Sequence, residues 1–341
     1  MSLKVLLLSV IFAAICGSVA AQVTFVRECR QRAFPKTVPA GDYSGITHIN
    51  GNKYAVVSDK SAKDGFFMFT IDIDSVSGEL LDVREDGFSG DSVCGGDCEG
   101  IAWCEHTSSF FVCREAHSDI VEFDSIGKMT GRSLVIPDMY KSGMGNKGFE
   151  SLTYDGHEHL FWTVNESTLP ADGVGATSTN GVENILRLQS FGDDLQPEAQ
   201  YLYKMDAPSA NARSSEYAMG VSELLALGDG RLLVLEREFF VPKIKLGSVV
   251  KCKLYEIKPD EHDKILPGTS VSDSARYVSK RLVHSFETRL NLFNRKLANY
   301  EGMCIGPTLA DGSVVIVLVS DSQSRYAGVL KDWFKTIVIQ K

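Results

Sequence analysis

The sequence predicts an all-β protein of the β-propeller class. A short unit recurs five times, with copies that begin at residues 44, 99, 150, 223 and 301. Each copy continues into strand-length apolar segments separated by turns rich in Gly, Asp and Ser. Helical periodicity is nearly absent, and residues 289–297 are the one segment that suggests a short helix. A unit repeated at intervals of this length is typical of propellers and related repeat folds.

The second copy is the template for a four-stranded blade. Its first to fourth strands are predicted at residues 99–103, 110–114, 119–123 and 132–136, each bounded by turn-forming residues. In the first copy, the second to fourth strands are predicted at residues 54–57, 66–73 and 80–83. In the third copy they are predicted at residues 160–164, 184–188 and 200–203. In the fourth copy they are predicted at residues 231–235, 251–257 and 280–284.

The fifth copy is one strand short. It contains residues 314–319 and 336–340, after which the chain ends. Residues 23–28 follow the predicted signal peptide and have no partner strand of their own. Because a propeller closes its ring by completing the last blade with the other terminus, we expect residues 23–28 to supply the missing strand. Five blades are visible, and the alternative is a sixth, degenerate blade within one of the two long spacings, where loops are predicted at residues 169–181 and 261–275.

The N-terminus has the pattern of a signal peptide. Lys4 precedes an apolar run at residues 5–15, and small residues follow at 18–21. The apolar run is shorter than the ~20 residues of a spanning helix, which disfavours the alternative of a membrane anchor. We therefore predict a signal peptide at residues 1–21, a single propeller domain at residues 22–341, no membrane span, and a secreted or periplasmic location.

Charge limits the partners of the protein. The chain has 35 basic and 44 acidic residues, a formal net charge of -9. Nucleic-acid phosphates require a basic surface, so nucleic acid is not expected as a partner. An acidic surface favours solubility and cation binding. We expect a monomer whose partner is a small molecule.

Seven of the eight cysteines remain after removal of the signal, which takes Cys16. Cys94 and Cys98 flank a Gly-Gly-Asp turn and are the best candidates for a disulfide bond. A zinc site at this pair is the alternative, but no second pair of ligands with zinc spacing accompanies it. Cys104 and Cys113 have the pattern of small buried residues on strands.

Acidic residues repeat with the blades. In a propeller the first strand of each blade lines a central channel, and the second strand pairs with it in antiparallel register. The start of the first strand then lies beside the end of the second, so these acids should meet at one mouth of the channel. Glu99 should lie near Glu115, Glu150 near Glu166, and Glu223 near Glu236 or Glu238. Hard oxygen ligands without cysteine or histidine favour Ca²⁺ or Mg²⁺. The predicted metal ligands, with Ca²⁺ as the cofactor, are Asp59, Glu99, Glu115, Glu150, Glu166, Glu301 and Asp321.

Basic residues stand beside these acids. Lys60, Arg114, Arg237 and Arg325 are predicted to pair with the carboxylates or to bind substrate. The alternative is structural, since a carboxylate at a strand start often accepts backbone hydrogen bonds and ties neighbouring segments together. No nucleophile elbow, P-loop or dinucleotide-binding fingerprint is present.

The recurring elements resemble those of the phytase-like family, a domain family that is described as carrying the esterase-like activity of phytase. They are Glu99-Gly100-Ile101, Glu150-Ser151-Leu152, Glu223-Leu224 and Glu301-Gly302-Met303, each followed by an apolar strand with an acidic end. Ser44 departs from the pattern. The resemblance implies a propeller that hydrolyses phosphate esters or other esters, with Glu99, Glu150, Glu223 and Glu301 as catalytic residues. A metal-assisted reaction follows if cations bridge the acids and phosphate. A calcium-dependent esterase or lactonase and a non-enzymatic extracellular binding or scaffold propeller are the alternatives.

Overall fold

The computed structural model describes residues 22–92, 97–140, 148–271, 276–325 and 329–341. Within these residues the chain forms five antiparallel sheets, and its helical elements are single 3-10 turns at Glu115–His117 and Asp138–Tyr140. The predicted five-bladed propeller is confirmed. No helix in this part of the chain is both long enough and apolar enough to cross a membrane.

The strands follow the predicted order. The first, β1 (Thr24–Glu28), joins the last blade. Blade 1 contains β2 (Tyr43–Asn50), β3 (Lys53–Ser58), β4 (Asp64–Ile73) and β5 (Leu80–Ser92). Blade 2 contains β6 (Cys98–Cys104), β7 (Ser109–Arg114), β8 (Asp119–Phe123) and β9 (Met129–Ser133). Blade 3 contains β10 (Thr153–Asp155), β11 (Leu160–Val164), β12 (Ile185–Gly192) and β13 (Pro197–Lys204).

The remaining blades come from the last third of the chain. Blade 4 contains β14 (Glu216–Ala226), β15 (Leu232–Val241), β16 (Val249–Ile257) and β18 (Lys280–Arg289). Blade 5 contains β19 (Asn299–Thr308), β20 (Val314–Asp321), β21 (Phe334–Gln340) and β1. The short β17 (Lys264–Ile265) adds a fifth strand to blade 3 by pairing with β13.

Closure through the N-terminal strand is confirmed. β1 pairs with β21 in antiparallel register from Thr24 opposite Gln340 to Glu28 opposite Ile337. Glu28 also accepts a hydrogen bond from Lys335 Nζ at 2.5 Å. The two ends of the chain therefore complete one sheet, and the free edge of β21 is covered.

One local expectation is wrong. Residues 289–297 do not form a helix, since Leu290 and Arg295 make a β-bridge. The Asn291 side chain accepts hydrogen bonds from the backbone N–H groups of Phe293 and Asn294, at 2.9 and 2.8 Å. Such a side-chain turn competes with helix formation and explains the outcome.

The hydrophobic core is divided among the blade interfaces. One buried cluster joins Tyr43 and Phe69 of blade 1 to Val315 of blade 5, and another joins Phe111 of blade 2 to Phe161 of blade 3. Each blade is covered on both faces by the two blades beside it in the ring. This double burial explains why strands such as β20 are continuously apolar rather than alternating.

The innermost strands approach one another very closely. A Cβ at Gly100 would lie 2.9 Å from the carbonyl oxygen of Glu150 in the next blade, and one at Gly302 would lie 2.6 Å from that of Ser44. Glycine is needed at these positions because the neighbouring backbone occupies the space of a side chain. The repeated Glu-Gly element is thus a packing element as well as a source of carboxylates.

Several predictions about the termini and cysteines fall partly outside the described residues. The signal peptide at residues 1–21 and Cys94 of the predicted disulfide lie there. The six cysteines of the described segments are all buried and none is disulfide-bonded. Cys104 and Cys113 belong to the core between blades 2 and 3, as expected.

Candidate functional site: an acidic cavity at one mouth of the channel

Strand register brings the repeated acids to one mouth of the propeller. In blade 2, Cys98 lies opposite Arg114, and the next residue, Glu115, donates its backbone N–H to Asp97 O at 2.9 Å. The same type of bond joins Asp59 N to Asp42 O in blade 1, at 3.3 Å. The end of each second strand is thereby held beside the start of the first strand.

These residues surround a cavity of about 290 Å³, hereafter the acidic cavity. Its wall contains all seven predicted metal ligands and one further carboxylate, Asp97, together with the two cationic side chains Lys60 and Arg237. Tyr217, Met219 and Gln323 complete part of the wall. The eight carboxylates are Asp59, Asp97, Glu99, Glu115, Glu150, Glu166, Glu301 and Asp321.

Burial and mutual repulsion make many of these carboxylates hard to ionise. Burial, followed by repulsion from Glu150 and Glu301, raises the pKa of Glu99 well above its usual value. Burial and then Glu166 likewise raise the pKa of Glu150, and burial and then Glu301 raise that of Asp321. For Glu301, burial outweighs the attraction of Arg237 and raises the pKa to about 7.

Arg237 is the central counter-charge of the cavity. Its guanidinium donates hydrogen bonds to Glu301, to Asn299 Oδ1 at 3.0 Å and to Glu166 Oε1 at 3.3 Å. Its Nη2 also lies 3.6 Å from Glu150 Oε2. The side chain is only 4% exposed, and although burial opposes its charge, the attraction of Glu301, Glu150 and Glu166 raises its pKa.

Three carboxylates have the spacing of a cation site. One oxygen from each of Asp59, Asp97 and Glu99 lies within 4.8 Å of the others. Two ligands on opposite sides of one Ca²⁺ are separated by about 4.6–5.2 Å, because Ca–O bonds are about 2.3–2.6 Å long. Asp59 Oδ1 is buried and has no hydrogen-bond partner. These donors therefore fit a hard cation such as Ca²⁺.

The family model "Phytase-like: Esterase-like activity of phytase" matches residues 38–323. The chain belongs to the phytase-like family. The match runs from just before blade 1 to just past the end of β20. It therefore includes every residue in the wall of the acidic cavity. The resemblance to the phytase-like family that the recurring elements indicated is thus confirmed.

Solved structures with similar architecture are only distantly related to the phytase-like propeller. An endo-arabinase from Bacteroides thetaiotaomicron is 11% identical, with 89% of this chain and 95% of that chain covered and a TM-score of 0.46. A luciferin-regenerating enzyme is 10% identical over 88% and 91% of the two chains, with a TM-score of 0.41. A streptogramin B lyase is 12% identical over 91% and 98%, with a TM-score of 0.38. At these TM-scores the similarities carry no argument about function. No curated protein matches the chain.

Blade 4 of the phytase-like propeller departs from the acidic pattern by one residue. Ile101 lies opposite Val112 in blade 2, and the corresponding pair in blade 4 is Leu224 opposite Val234. This register places Ser222 where blade 2 has Glu99, and Arg237 where blade 2 has Glu115. The alignment of Glu223 with the repeated glutamates is therefore wrong, since Glu223 occupies the glycine position. A shift of one residue along a strand turns a side chain to the opposite face.

Glu223 lies outside the acidic cavity and connects inner strands. It is 1% exposed, and its Oε1 accepts hydrogen bonds from the backbone N–H groups of Leu152 and Leu224, both at 3.1 Å. Burial raises its pKa well above the usual value. Glu236 does not line the cavity either, since it accepts hydrogen bonds from Tyr203 Oη at 2.7 Å and Lys280 Nζ at 2.6 Å. Glu238 accepts from Ser209 N at 3.0 Å and is likewise absent from the wall.

The four basic residues separate into two groups. Lys60 stands at the rim, 59% exposed and paired with Asp59, and Arg237 lies in the interior. Arg114 lies outside the cavity, where it binds Asp64 and Asp119 at 2.9 and 2.6 Å. Arg325 is exposed and lines a different cavity, formed with Phe34, Leu330 and Asp332.

Asp97 is the wall carboxylate that the repeat pattern missed. It stands two residues before Glu99, as Asp42 stands two residues before Ser44. Both aspartates have a positive φ, 55° for Asp97 and 47° for Asp42, and so occupy equivalent turns. The signal was therefore present in the sequence, one turn upstream of the recurring unit.

Proposed function

We propose that this phytase-like propeller is a Ca²⁺-dependent hydrolase that acts on phosphate esters or other esters in the acidic cavity. The observation that carries the proposal is the convergence of Asp59, Asp97 and Glu99 within 4.8 Å, with Asp59 Oδ1 buried and unpartnered. The family name supports a hydrolytic activity.

Charge balance in the acidic cavity supports a requirement for a cation. Eight carboxylates face two cationic side chains, and Arg237 is already engaged by three of the carboxylates. Closely spaced carboxylates must take up protons or bind a cation. A bound Ca²⁺ removes this need for protons, since its oxygen ligands are most favourable when ionised.

The same balance bears on the substrate. A phosphate ester is repelled by an acidic wall, and among the wall cations only Lys60 extends into solvent. Anion binding in the cavity therefore depends on the metal, which when bound would polarise a phosphoryl or carbonyl oxygen and activate water. Lys60, which pairs with Asp59 at the rim, is the cation that an incoming phosphate would meet first.

Proton transfer is assigned to the buried glutamates. Glu99 and Glu150 line the cavity and are the candidate general bases once their protons are displaced. Glu301 has a pKa of about 7, close to the pH at which a group can both accept and release a proton efficiently. Asn299 Nδ2 donates to Glu301 Oε1 at 2.8 Å and orients it.

The decisive experiment combines calcium binding with an assay of three substrate classes. Chelator-treated protein should melt at a higher temperature when Ca²⁺ is added, because a ligand bound only to the folded state stabilises it. A phosphomonoester, a phosphodiester and a carboxyl ester are then tested with and without Ca²⁺. Asp59→Asn and Glu99→Gln should lose both the shift and the hydrolysis, whereas Glu198→Gln, an exposed carboxylate of blade 3, should retain both.

The outcomes separate the alternatives. A Ca²⁺ shift without hydrolysis of any substrate class would favour a non-enzymatic binding or scaffold propeller. No shift at millimolar Ca²⁺ would refute the metal proposal. We also propose that the protein is exported and monomeric, which sequencing of the mature N-terminus and measurement of the mass in solution would test.

A further inference from the structure

A second cluster of potential ligands lies at the end of the propeller opposite the acidic cavity. The inner strands begin at the acidic mouth, so the turns that follow them lie at the other end. His106 is in the turn between β6 and β7, His159 precedes β11, and Asp193 is in the turn between β12 and β13. We propose that these three residues form a binding site for a transition-metal ion, Zn²⁺ in particular, between blades 2 and 3.

The distances support one ion bound by three side chains. One ligand atom from each residue lies within 4.8 Å of the others, and His159 Nδ1 is 3.0 Å from Asp193 Oδ2. Ligands of a tetrahedral Zn²⁺ are separated by about 3.3–3.5 Å, given Zn–N and Zn–O bonds of about 2.0–2.2 Å. The imidazole rings of His106 and His159 have centroids 5.9 Å apart. Both histidines are exposed, so an ion can reach their ring nitrogens from solvent.

Neighbouring groups hold the ligands in place. Tyr154 Oη donates to Asp193 Oδ1 at 2.9 Å and lies 3.4 Å from His159 Nδ1. The Tyr154 ring packs on Phe161, with centroids 4.6 Å apart. Outer groups that orient metal ligands in this way commonly raise affinity. Because Tyr154 binds Asp193 Oδ1, the other oxygen, Oδ2, faces His159 Nδ1, and a bound ion would take the place of the proton between these two atoms.

The two turns also pack closely against each other. The carboxylate of Glu105, next to His106, lies over Gly156 so closely that a Cβ there would be 2.1 Å from Glu105 Oε1. Within the turn that carries His159, Asp155 Oδ1 accepts the backbone N–H groups of His157 and Glu158, both at 3.0 Å. The ligands of both blades thus stand on turns whose positions are already set.

The chemistry of this site differs from that of the acidic cavity. Two imidazole nitrogens and one carboxylate oxygen suit Zn²⁺ and similar ions, whereas an all-oxygen set suits Ca²⁺. Three protein ligands leave a fourth position for water or another ligand. A bound ion would join blades 2 and 3 at the face away from the acidic cavity, and the inference does not depend on the proposed hydrolase activity.

The test is a metal titration of the full chain after treatment with chelator. Calorimetry with Zn²⁺, and the visible spectrum of bound Co²⁺, should report one tetrahedral site. His106→Ala and His159→Ala should each weaken Zn²⁺ binding by at least about 10-fold, and Tyr154→Phe by about 10-fold. His262→Ala, an exposed histidine of another loop, should bind Zn²⁺ as the wild type does, and Glu99→Gln tests whether the ion instead occupies the acidic cavity.

The outcomes decide the proposal. Thermal unfolding of each variant without metal verifies the fold, and Tyr154→Phe with Asp193→Asn provides a second pair if a histidine variant fails to fold. Absence of Zn²⁺ binding to the wild type, or affinities within about two-fold of it in both histidine variants, would overturn the inference, because loss of a true ligand or its orienting partner costs about 10-fold or more. Loss of Zn²⁺ binding in Glu99→Gln instead would assign the ion to the acidic cavity and also overturn it.

Discussion

Replacing Arg237 with methionine tests the charge balance of the acidic cavity. Methionine approximates the length of the arginine stem and removes the charge that Glu301, Glu166 and Glu150 share. Removing one partner of a buried ion pair costs about 3–5 kcal/mol of the free energy of unfolding, because the other charge stays buried. Here the carboxylates can escape part of this cost by binding protons, so the loss must depend on pH.

The sign of that dependence follows from the pKa shifts. The pKa of Glu301 is raised from 4.5 to about 7 even with Arg237 present, and the substitution removes the attraction that opposes this rise. A folded state that binds more protons than the unfolded state loses stability as pH increases. Below a pH of about 7 Glu301 is protonated in both folded proteins, so the Arg237→Met penalty should be small there; it should grow toward about 3–5 kcal/mol as the pH rises above 7, where Glu301 ionises in the wild type first.

Urea unfolding in chelator, followed at an acidic and an alkaline pH, measures this penalty by linear extrapolation. Arg114→Met is the matched control, since Arg114 is also a buried, ion-paired arginine but lies outside the acidic cavity. Saturating Ca²⁺ should reduce the alkaline penalty of Arg237→Met and leave that of Arg114→Met unchanged. A penalty for Arg237→Met that is equal at both pH values and indifferent to Ca²⁺ would refute the reasoning.

Three further predictions concern other parts of the molecule. In chelator, the wild type should lose stability as pH rises from 4.5 to about 7, and Glu301 alone should account for about 3 kcal/mol of this loss. Glu301→Gln should therefore flatten the profile of melting temperature against pH, and an identical profile in the variant would contradict this. Gly100→Ala should destabilise the protein by about 1–3 kcal/mol in urea unfolding, because its Cβ meets the backbone of blade 3, whereas Gly175→Ala should cost less, with its nearest neighbour 3.6 Å away. Deletion of residues 22–28 should uncover the edge of β21 and produce concentration-dependent association by light scattering, and a deletion variant that stays monomeric with unchanged stability would argue against closure by β1.

The local pattern of apolar segments and turn-forming residues predicted most of the fold, because it reflects the burial of each strand directly. Continuous apolar segments between turns located the second and third strands of the blades, and the unpaired segment at residues 23–28 identified the closing strand. The helix expected at residues 289–297 failed because Asn291 forms a side-chain turn, a competition that periodicity does not measure.

The candidate site was predicted in part, for a related reason. Antiparallel pairing alone places the end of a second strand beside the start of a first, so the proximity of Glu99 to Glu115 and of Glu150 to Glu166 needed no tertiary information. The register shift between Val221 and Glu223 did need it, because one residue along a strand decides whether a side chain faces the cavity. Spacing could not show this irregularity in blade 4.

The sequence by itself determined the propeller class, five of its blades, the closing strand and the acidic character of one mouth, since these depend on repetition and on burial that every copy shares. The tertiary structure decided that the described residues form no sixth blade. Only the tertiary structure decided that Arg237 balances the acids, that Glu223 joins inner strands, and that Arg114 and Arg325 lie elsewhere. Only the tertiary structure also brought His106, His159 and Asp193 together. Their proximity arises from turns of different strands at the far end of two blades, and separation along the chain carries no information about such contacts.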